Sequence, residues 1–213
     1  MTTVLMVAHG RTTISPNEVL AGWLPDVHLD TVGREQSRLV AARLAEVRYS
    51  ALLTSPIESC RETAEIISKR RRRDLPTHTE LGIAECRFGD WTGRPLEVLR
   101  KEPLWEVLRH HPSAMQFPGG ESLIQMQARA LQSVREWNDK LGENKAYVLV
   151  SHATVIQALL ADALGMHLDL FHRIEVDAGS VSVIKYRPVR PIVARINDTG
   201  GDLSTFSPTR RRR

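Results

Sequence analysis

The most restrictive feature of this 213-residue sequence is the alternation of short apolar runs with longer stretches of helical character. Apolar runs at residues 3–7, 51–54 and 146–150 predict buried strands. Two further strands, at 180–186 and 191–196, are predicted to finish the chain as a hairpin. Strands that alternate with helices favour an α/β fold of three layers, with a mainly parallel sheet and helices on both faces.

The predicted helices are identified by their apolar spacing and by the residues at their ends. Ser55 is predicted to be the N-cap of one helix, with Pro56 in its first turn, and Gly165 is predicted to close another. Gly33 comes just before a third stretch of helical spacing. The predicted helices cover residues 34–47, the stretch from Ser55 to the arginines at 70–73, residues 121–141 and residues 154–164.

Composition and charge limit the class of protein. Hydrophobic residues make up 42% and charged residues 25%, as in ordinary globular proteins. We predict one domain over residues 1–205, in which residues 75–118 cover one edge of the sheet, followed by a basic tail at 206–213. The sequence shows no apolar stretch that could span a membrane, no signal peptide and only two cysteines, so we predict a cytoplasmic protein.

Two runs of four arginines, at 70–73 and 210–213, contribute to the formal net charge of +4. Such runs are compatible with nucleic-acid binding. Cations are also favourable at a helix C-terminus, and no aromatic residues are interleaved with these arginines to stack on bases. We therefore interpret the first run as a helix end and the second as a tail, and we do not expect nucleic acid as a partner.

Two histidines occupy matching places in the predicted sheet. His9 and His152 each follow an apolar strand-like run, and each precedes a small residue. In α/β folds, sites lie beyond the carboxyl ends of parallel strands. If the two strands are neighbours, both imidazoles share one crevice, where histidine can act as a nucleophile or exchange protons near neutral pH.

Five motifs resemble a known family. They are VAHGRTT at 7–13, LTSPIESCRETAEII at 53–67, AECRFGDWTGR at 84–94, FPGGES at 117–122 and VLVSHATVIQALL at 148–160. In this order and spacing they resemble the phosphoglycerate-mutase-like proteins of the histidine phosphatase superfamily. The later segments MHLDLF, GSVSVIKY and INDTGGDL look like those of an actinobacterial branch described as phosphomutases or phosphatases.

The resemblance implies a phosphatase or phosphomutase that acts on a small phosphorylated substrate and needs no metal and no cofactor. His9 would be the nucleophile that forms a phosphohistidine, Glu85 the general acid and then base, and His152 an imidazolium that stabilises the transferring phosphoryl group. A homodimer is common in that family. The residues implied to line the phosphate and substrate pocket are Gly10, Arg11, Thr12, Ser15, Ser59 and Ala153.

The departures from the family pattern cluster on the phosphate pocket. Ala8 and Ser59 stand where the family usually has arginine, and Ser15 stands where an asparagine is common. Ala153-Thr154 replaces a glycine followed by an acidic residue. Losing one preorganised donor at an oxyanion commonly costs about 10²–10³ in rate.

Other arginines are candidates to replace the missing ones. Arg61 is two residues beyond Ser59, which on a helix turns it about 200° away. Arg11, Arg87 and Arg94 lie in loops from which a side chain could reach an anion. Two hypotheses therefore stay open: a phosphatase or mutase with a rearranged set of cations, and a catalytically impaired pseudophosphatase that binds or regulates.

Overall fold

The computed structural model of the protein describes residues 1–15, 18–71 and 75–207. Within these residues the strands are β1 (Thr2–Ala8), β2 (Leu52–Thr54), β3 (Thr77–Thr79), β4 (Lys145–Ser151), β5 (Val181–Tyr186) and β6 (Pro191–Asp198). They form one sheet in the order β3-β2-β4-β1-β5-β6. The first four strands of that order pair in parallel, whereas β5 and β6 form the predicted antiparallel hairpin at one edge.

The helices of the described residues are α1 (Thr31–Leu44), α2 (Glu58–Lys69), α3 (Leu96–Leu99), α4 (Pro103–His110), α5 (Leu123–Leu141) and α6 (Ala153–Ala163). Side chains alternate between the two faces of a strand. In β1, Leu5 and Val7 therefore pack with α1 and α2, whereas Val4 and Met6 pack with α5 and α6. The predicted three-layer α/β fold is confirmed. No helix of the described residues is long and apolar enough to cross a membrane.

Two helix starts differ from the prediction because of side-chain hydrogen bonds. Helix α1 begins at Thr31, three residues before the predicted start, because the Asp30 carboxylate accepts a hydrogen bond from the Gly33 amide at 2.7 Å. Helix α5 begins after Ser122, which forms a capping box with Gln125. The prediction for Gly165 is confirmed, since this residue follows α6 with a φ of 67°.

The structure corrects three other predictions. Ser55 is not the N-cap of α2, which begins at Glu58 without a side-chain cap. The segment predicted to contain only loops and short helices also contributes β3, an edge strand that pairs with β2. Phe206, assigned to the basic tail, is buried against the cluster formed by α1, α2 and the sheet, because its ring covers apolar side chains there.

The first arginine run lies where a helix end was predicted. The Arg70 amide donates to the Ile67 carbonyl at the end of α2, and Arg71 Nε donates to Tyr49 Oη at 2.5 Å. Arg72, Arg73 and the second run, Arg210–Arg213, lie outside the described residues.

Candidate active site

The site lies where three parallel strands end. The register of β1 and β4 places Ala8 opposite Ser151, so His9 and His152 follow neighbouring strand ends. The His9 amide donates to the Ser151 carbonyl at 3.0 Å. The two imidazole rings meet edge to face, with their centroids 5.1 Å apart. The predicted shared crevice is therefore present.

His9 is held in one tautomer by its own loop. Its Nδ1 lies 2.8 Å from the Gly10 carbonyl oxygen, which can only accept, so Nδ1 carries the proton. Burial lowers the pKa of His9, and the hydrogen bond to Gly10 only partly opposes this effect. The ring is therefore neutral near pH 7, and Nε2 keeps a lone pair for nucleophilic attack.

Gly10 fixes this loop through its backbone. Its amide donates to Thr63 Oγ1 at 3.2 Å, and a Cβ at this position would lie 2.3 Å from the carbonyl oxygen of Gly33. Only glycine permits this contact with the first turn of α1. The close packing of Gly10 against Gly33 thus requires glycine here.

His152 is buried behind His9 and has its own partners. Its Nε2 lies 2.9 Å from Ser55 Oγ and 3.4 Å from Cys60 Sγ, and its Nδ1 lies 3.9 Å from Glu85 Oε2. Burial lowers the pKa of His152 well below its usual value, and repulsion by His9 and Arg129 lowers it further. The ring is therefore neutral near pH 7, and the imidazolium that the resemblance implies beside a transferring phosphoryl group stays a prediction.

Glu85 is a carboxyl group with an unusual protonation state. Burial raises its pKa from 4.5 to about 7, although the Cys86 amide and the Arg129 charge both favour the carboxylate. Its Oε1 accepts from the Cys86 amide at 2.8 Å, and Thr154 Oγ1 lies 3.5 Å from Oε2. Near neutral pH, a substantial fraction of Glu85 is therefore protonated, which is the state that a general acid needs.

The main chain of Glu85 is held from two sides. Its carbonyl oxygen accepts from Trp23 Nε1 at 2.8 Å and from Arg129 Nη2 at 3.0 Å. Arg129, on α5, also donates to the carbonyl oxygens of Gly82 and Ala84, both at 2.8 Å, and forms an ion pair with Glu121. These bonds fix the segment that carries the acid.

The side chains surround a cavity of about 120 Å³. Its polar lining consists of His9, His152, Glu85 and the hydroxyl-bearing residues Thr12, Ser15 and Ser59. Thr12 and Ser15 are joined by a hydrogen bond of 2.9 Å between their hydroxyl oxygens. The remaining lining residues are Ile14, Val19, Ala21, Gly22, Val27 and Ile57.

The structure brings together most of the residues predicted for the site, but Gly10, Arg11 and Ala153 are not among those that line the cavity. Ala153 is the first residue of α6. Arg11 is engaged elsewhere, because its Nε donates to Asp30 Oδ2 at 2.6 Å. Asp30 in turn caps α1. Arg11 is thus held by the start of α1 rather than directed to an anion.

The other candidate arginines are also placed outside the cavity. Arg61 is exposed on α2, Arg94 pairs with Glu102 at 2.6 Å, and the guanidinium of Arg87 lies over the Trp23 ring. Ala8 and Ser59 are both buried, each with 2% exposure. Among the described residues that line the cavity there is no lysine or arginine. The described residues also contain no group of three metal-ligating side chains.

Sequence reasoning missed four residues that support the site: Ser55, Thr154, Trp23 and Arg129. Ser55 could have been found, because it follows β2 as His9 follows β1, and the same strand-end rule applies to it. Thr154 is adjacent in sequence to a predicted site residue. Trp23 and Arg129 reach Glu85 from 62 and 44 residues away, and no local pattern indicates such contacts.

The cavity contains a neutral histidine with a free nitrogen, a second histidine and a partly protonated carboxyl group, which are the groups for nucleophilic catalysis with general-acid assistance. Comparison with known proteins defines the class further. Residues 4–199 match the family model described as histidine phosphatase superfamily (branch 1). The chain belongs to this superfamily, as the motifs predicted.

Its relatives include phosphatases with named substrates. The chain is 30% identical to phosphoserine phosphatase 1 of Hydrogenobacter thermophilus over 206 residues, which is 93% of each chain. It is 29% identical to glucosyl-3-phosphoglycerate phosphatase of Mycolicibacterium vanbaalenii over 174 residues, 78% of this chain and 76% of that one. The structure of Bacillus stearothermophilus YhfR matches with a TM-score of 0.83 and 26% identity, covering 93% of this chain and 98% of that one. The resemblance to an actinobacterial branch stays a prediction.

Proposed function

We propose that this protein hydrolyses small phosphomonoesters through a phosphohistidine on His9. The observation that carries the proposal is the hydrogen bond from His9 Nδ1–H to the Gly10 carbonyl, because it leaves Nε2 unprotonated within the cavity. Nε2 attacks phosphorus while the bond from phosphorus to the ester oxygen breaks. The departing oxygen takes the proton of Glu85 and leaves as an alcohol.

The second half of the reaction returns the site to its starting state. The Glu85 carboxylate takes a proton from water, and the water oxygen attacks the phosphorus of the phosphohistidine. The bond from phosphorus to Nε2 breaks, inorganic phosphate is released, and Glu85 is protonated again. A pKa of about 7 suits both steps, since a group that must give and then take a proton works best near the ambient pH.

The negative charge of the phosphoryl group needs other positive partners, because Ala8 and Ser59 stand where the family usually has arginine. Helices α2 and α6 both begin beside the cavity, and neither has a side-chain cap among the described residues. The N-terminus of a helix carries about half a positive charge and exposed amides, which favour an anion. In addition, a phosphate dianion near His152 raises the pKa of that imidazole, so the ring takes up a proton when the substrate binds.

Hydrolysis is favoured over mutase chemistry by the same charge distribution. A phosphomutase must retain a bisphosphorylated intermediate, which requires cations for a second phosphoryl group. Lysine and arginine are absent from the described lining of the cavity. The intermediate would therefore dissociate, and water becomes the acceptor.

The test is phosphate release from phenyl phosphate across pH 5–8, combined with mass spectrometry of acid-quenched and alkali-quenched protein. We expect turnover that His9→Ala abolishes, and an acid-labile, alkali-stable phosphoryl group on His9. His110→Ala is the matched control, because His110 is exposed on α4. Turnover by His9→Ala at the rate of the parent protein would contradict the proposal.

A second candidate is a pseudophosphatase that binds a phosphorylated ligand without turning it over. The buried Ala8 and Ser59, in place of arginines, support this alternative. It predicts that inorganic phosphate protects the protein against thermal unfolding although no phosphomonoester is hydrolysed. Turnover that depends on His9 would exclude it.

A further inference from the structure

One part of the wall of the proposed active-site cavity is apolar. Ile14, Val19 and Val27 lie on the loop that follows β1, and Ile57 immediately precedes α2. Val27 and Ile57 are buried, with 4% and 6% exposure. The polar lining groups include His9, His152 and Glu85, which act on the phosphoryl group in the proposed reaction. The ester carbons of a bound phosphomonoester must therefore meet hydrocarbon.

Three arginines on or near the loop that follows β1 form ion pairs outside the cavity, and Arg61, four residues after Ile57, is exposed on α2. Arg11 pairs with Asp30 at 2.6 Å, and Arg94 pairs with Glu102 at 2.6 Å. Arg100 pairs with Glu18 at 3.4 Å. An anionic group on the alcohol would thus enter the cavity without a lysine or arginine partner from the described lining. Burying an unpaired charge is strongly unfavourable.

Resting on the phosphatase function proposed above, we infer that the substrate is a phosphomonoester of an uncharged, apolar alcohol. The residues that select it are Ile14, Val19, Val27 and Ile57. A cavity of about 120 Å³ is smaller than the roughly 150 Å³ that holds one benzene molecule. The apolar wall therefore contacts the first few carbons next to the ester oxygen, and a longer alcohol extends through the mouth.

This specificity separates the protein from the relatives described above. Phosphoserine, named in one relative, carries a carboxylate and an ammonium group close to its ester oxygen. The 3-phosphoglycerate part of the other named substrate carries a carboxylate at the same distance. A carboxylate at that place in this cavity would lie against valine and isoleucine side chains.

The experiment compares kcat/KM for ethyl, propyl and butyl phosphate with kcat/KM for phosphoserine and 3-phosphoglycerate. Burial of one methylene group contributes about 0.8 kcal/mol, so each added carbon is expected to raise kcat/KM about fourfold until the wall is covered. Butyl phosphate should exceed phosphoserine at least tenfold. Equal or higher kcat/KM for the carboxylated substrates would overturn the inference and leave the phosphatase function intact.

Substitutions in the apolar wall of the cavity test whether these residues determine the preference for butyl phosphate over phosphoserine. Val19→Arg places a cation at a half-buried lining position, and Ile14→Arg does so at a second position in case the first variant fails to fold. Each is expected to lower kcat/KM for butyl phosphate and to raise it for phosphoserine. Val189→Arg, at a position with 91% exposure, is the matched control and should change neither. Unchanged selectivity in a folded wall variant would refute the assignment.

Binding to His9→Ala separates the inference from the proposed function. Calorimetric titration of this variant with butyl phosphate and with phosphoserine needs no turnover. Tighter binding of butyl phosphate than of phosphoserine would support the ligand class, and if the parent protein hydrolysed neither ester, the phosphatase function alone would be refuted. Tighter binding of phosphoserine would refute the ligand class in either case.

Discussion

Replacing Glu85 by glutamine removes an ionisable group that the fold keeps partly protonated, and the effect on stability depends on pH. In the unfolded chain the carboxyl group titrates near its ordinary pKa of 4.5, whereas burial raises the pKa to about 7 in the folded protein. The folded state therefore holds this proton more tightly. Its stabilising effect is fully present below pH 4.5 and is lost as the pH rises through 7.

The size of the effect follows from the two pKa values. Each pKa unit corresponds to about 1.4 kcal/mol of differential interaction. Ionisation of Glu85 thus costs the folded protein about 3 kcal/mol between pH 4 and pH 8. Glutamine keeps the shape of the protonated acid and does not ionise. The Glu85→Gln variant should therefore gain about 3 kcal/mol relative to the parent protein over that range.

Urea denaturation at pH 4, 5, 6, 7 and 8 measures this difference directly. His9 and His152 are present in both proteins, so the difference isolates Glu85 together with its coupling to His152 at 3.9 Å. Glu97→Gln removes an exposed carboxylate and serves as the control. If the difference between Glu85→Gln and the parent protein stays constant with pH, then Glu85 is not a buried acid with a raised pKa, and its assignment as proton donor fails.

Three further predictions concern the groups around Glu85, His9 and His152. Arg129→Met removes the hydrogen bonds that hold the Glu85 segment and a positive charge that lowers the Glu85 pKa. We expect kcat/KM for phenyl phosphate to fall at least tenfold, and the alkaline limb of its pH profile to move to higher pH. Arg135→Met, at an exposed position of the same helix, should leave both unchanged. Ser55→Ala removes the hydroxyl at 2.9 Å from His152 Nε2. We expect kcat to fall about tenfold, whereas the free energy of unfolding should change by only about 1 kcal/mol. A kcat within twofold of the parent value would show that Ser55 does not position His152. Gly33→Ala places a Cβ 1.9 Å from the Arg11 carbonyl oxygen. This overpacking should lower the free energy of unfolding by about 3 kcal/mol and lower Tm by roughly 6–12 °C in calorimetry. Gly200→Ala, whose Cβ would meet open space, should lower neither.

The strand ends could be predicted from the sequence because each central strand is a continuous apolar run that stops at a polar residue. This pattern located His9 and His152 before any contact was known, and the parallel pairing of β1 with β4 confirmed that they are neighbours. Strand β3 could not be found in this way. Its residues Thr77–Thr79 are polar and lie at the sheet edge, so no apolar run marks them.

Predictions from neighbouring residues failed where a side chain forms its hydrogen bond or ion pair with a residue distant in sequence. Ser55-Pro56 has the residues of a helix start, but the Ser55 hydroxyl bonds to His152 from 97 residues away, and α2 begins later. Arg11 was a reasonable anion ligand from its position next to His9. The structure shows that Asp30 holds it, through a contact that depends on how the loop after β1 returns to α1.

The double hydrogen bond to the Glu85 carbonyl has an evolutionary consequence. A carbonyl oxygen belongs to the backbone, so no substitution at residue 85 can improve or remove it as an acceptor. Trp23 donates from the loop that carries the apolar cavity wall, and Arg129 donates from α5 on the opposite side. Changes in this loop for a new substrate could replace Trp23. Such a descendant must keep Arg129, because otherwise neither of these two side chains would hold the main chain of Glu85 in place. We therefore expect arginine to be retained at position 129 in every descendant of this chain that loses the tryptophan at position 23, although the two side chains meet at a single shared atom.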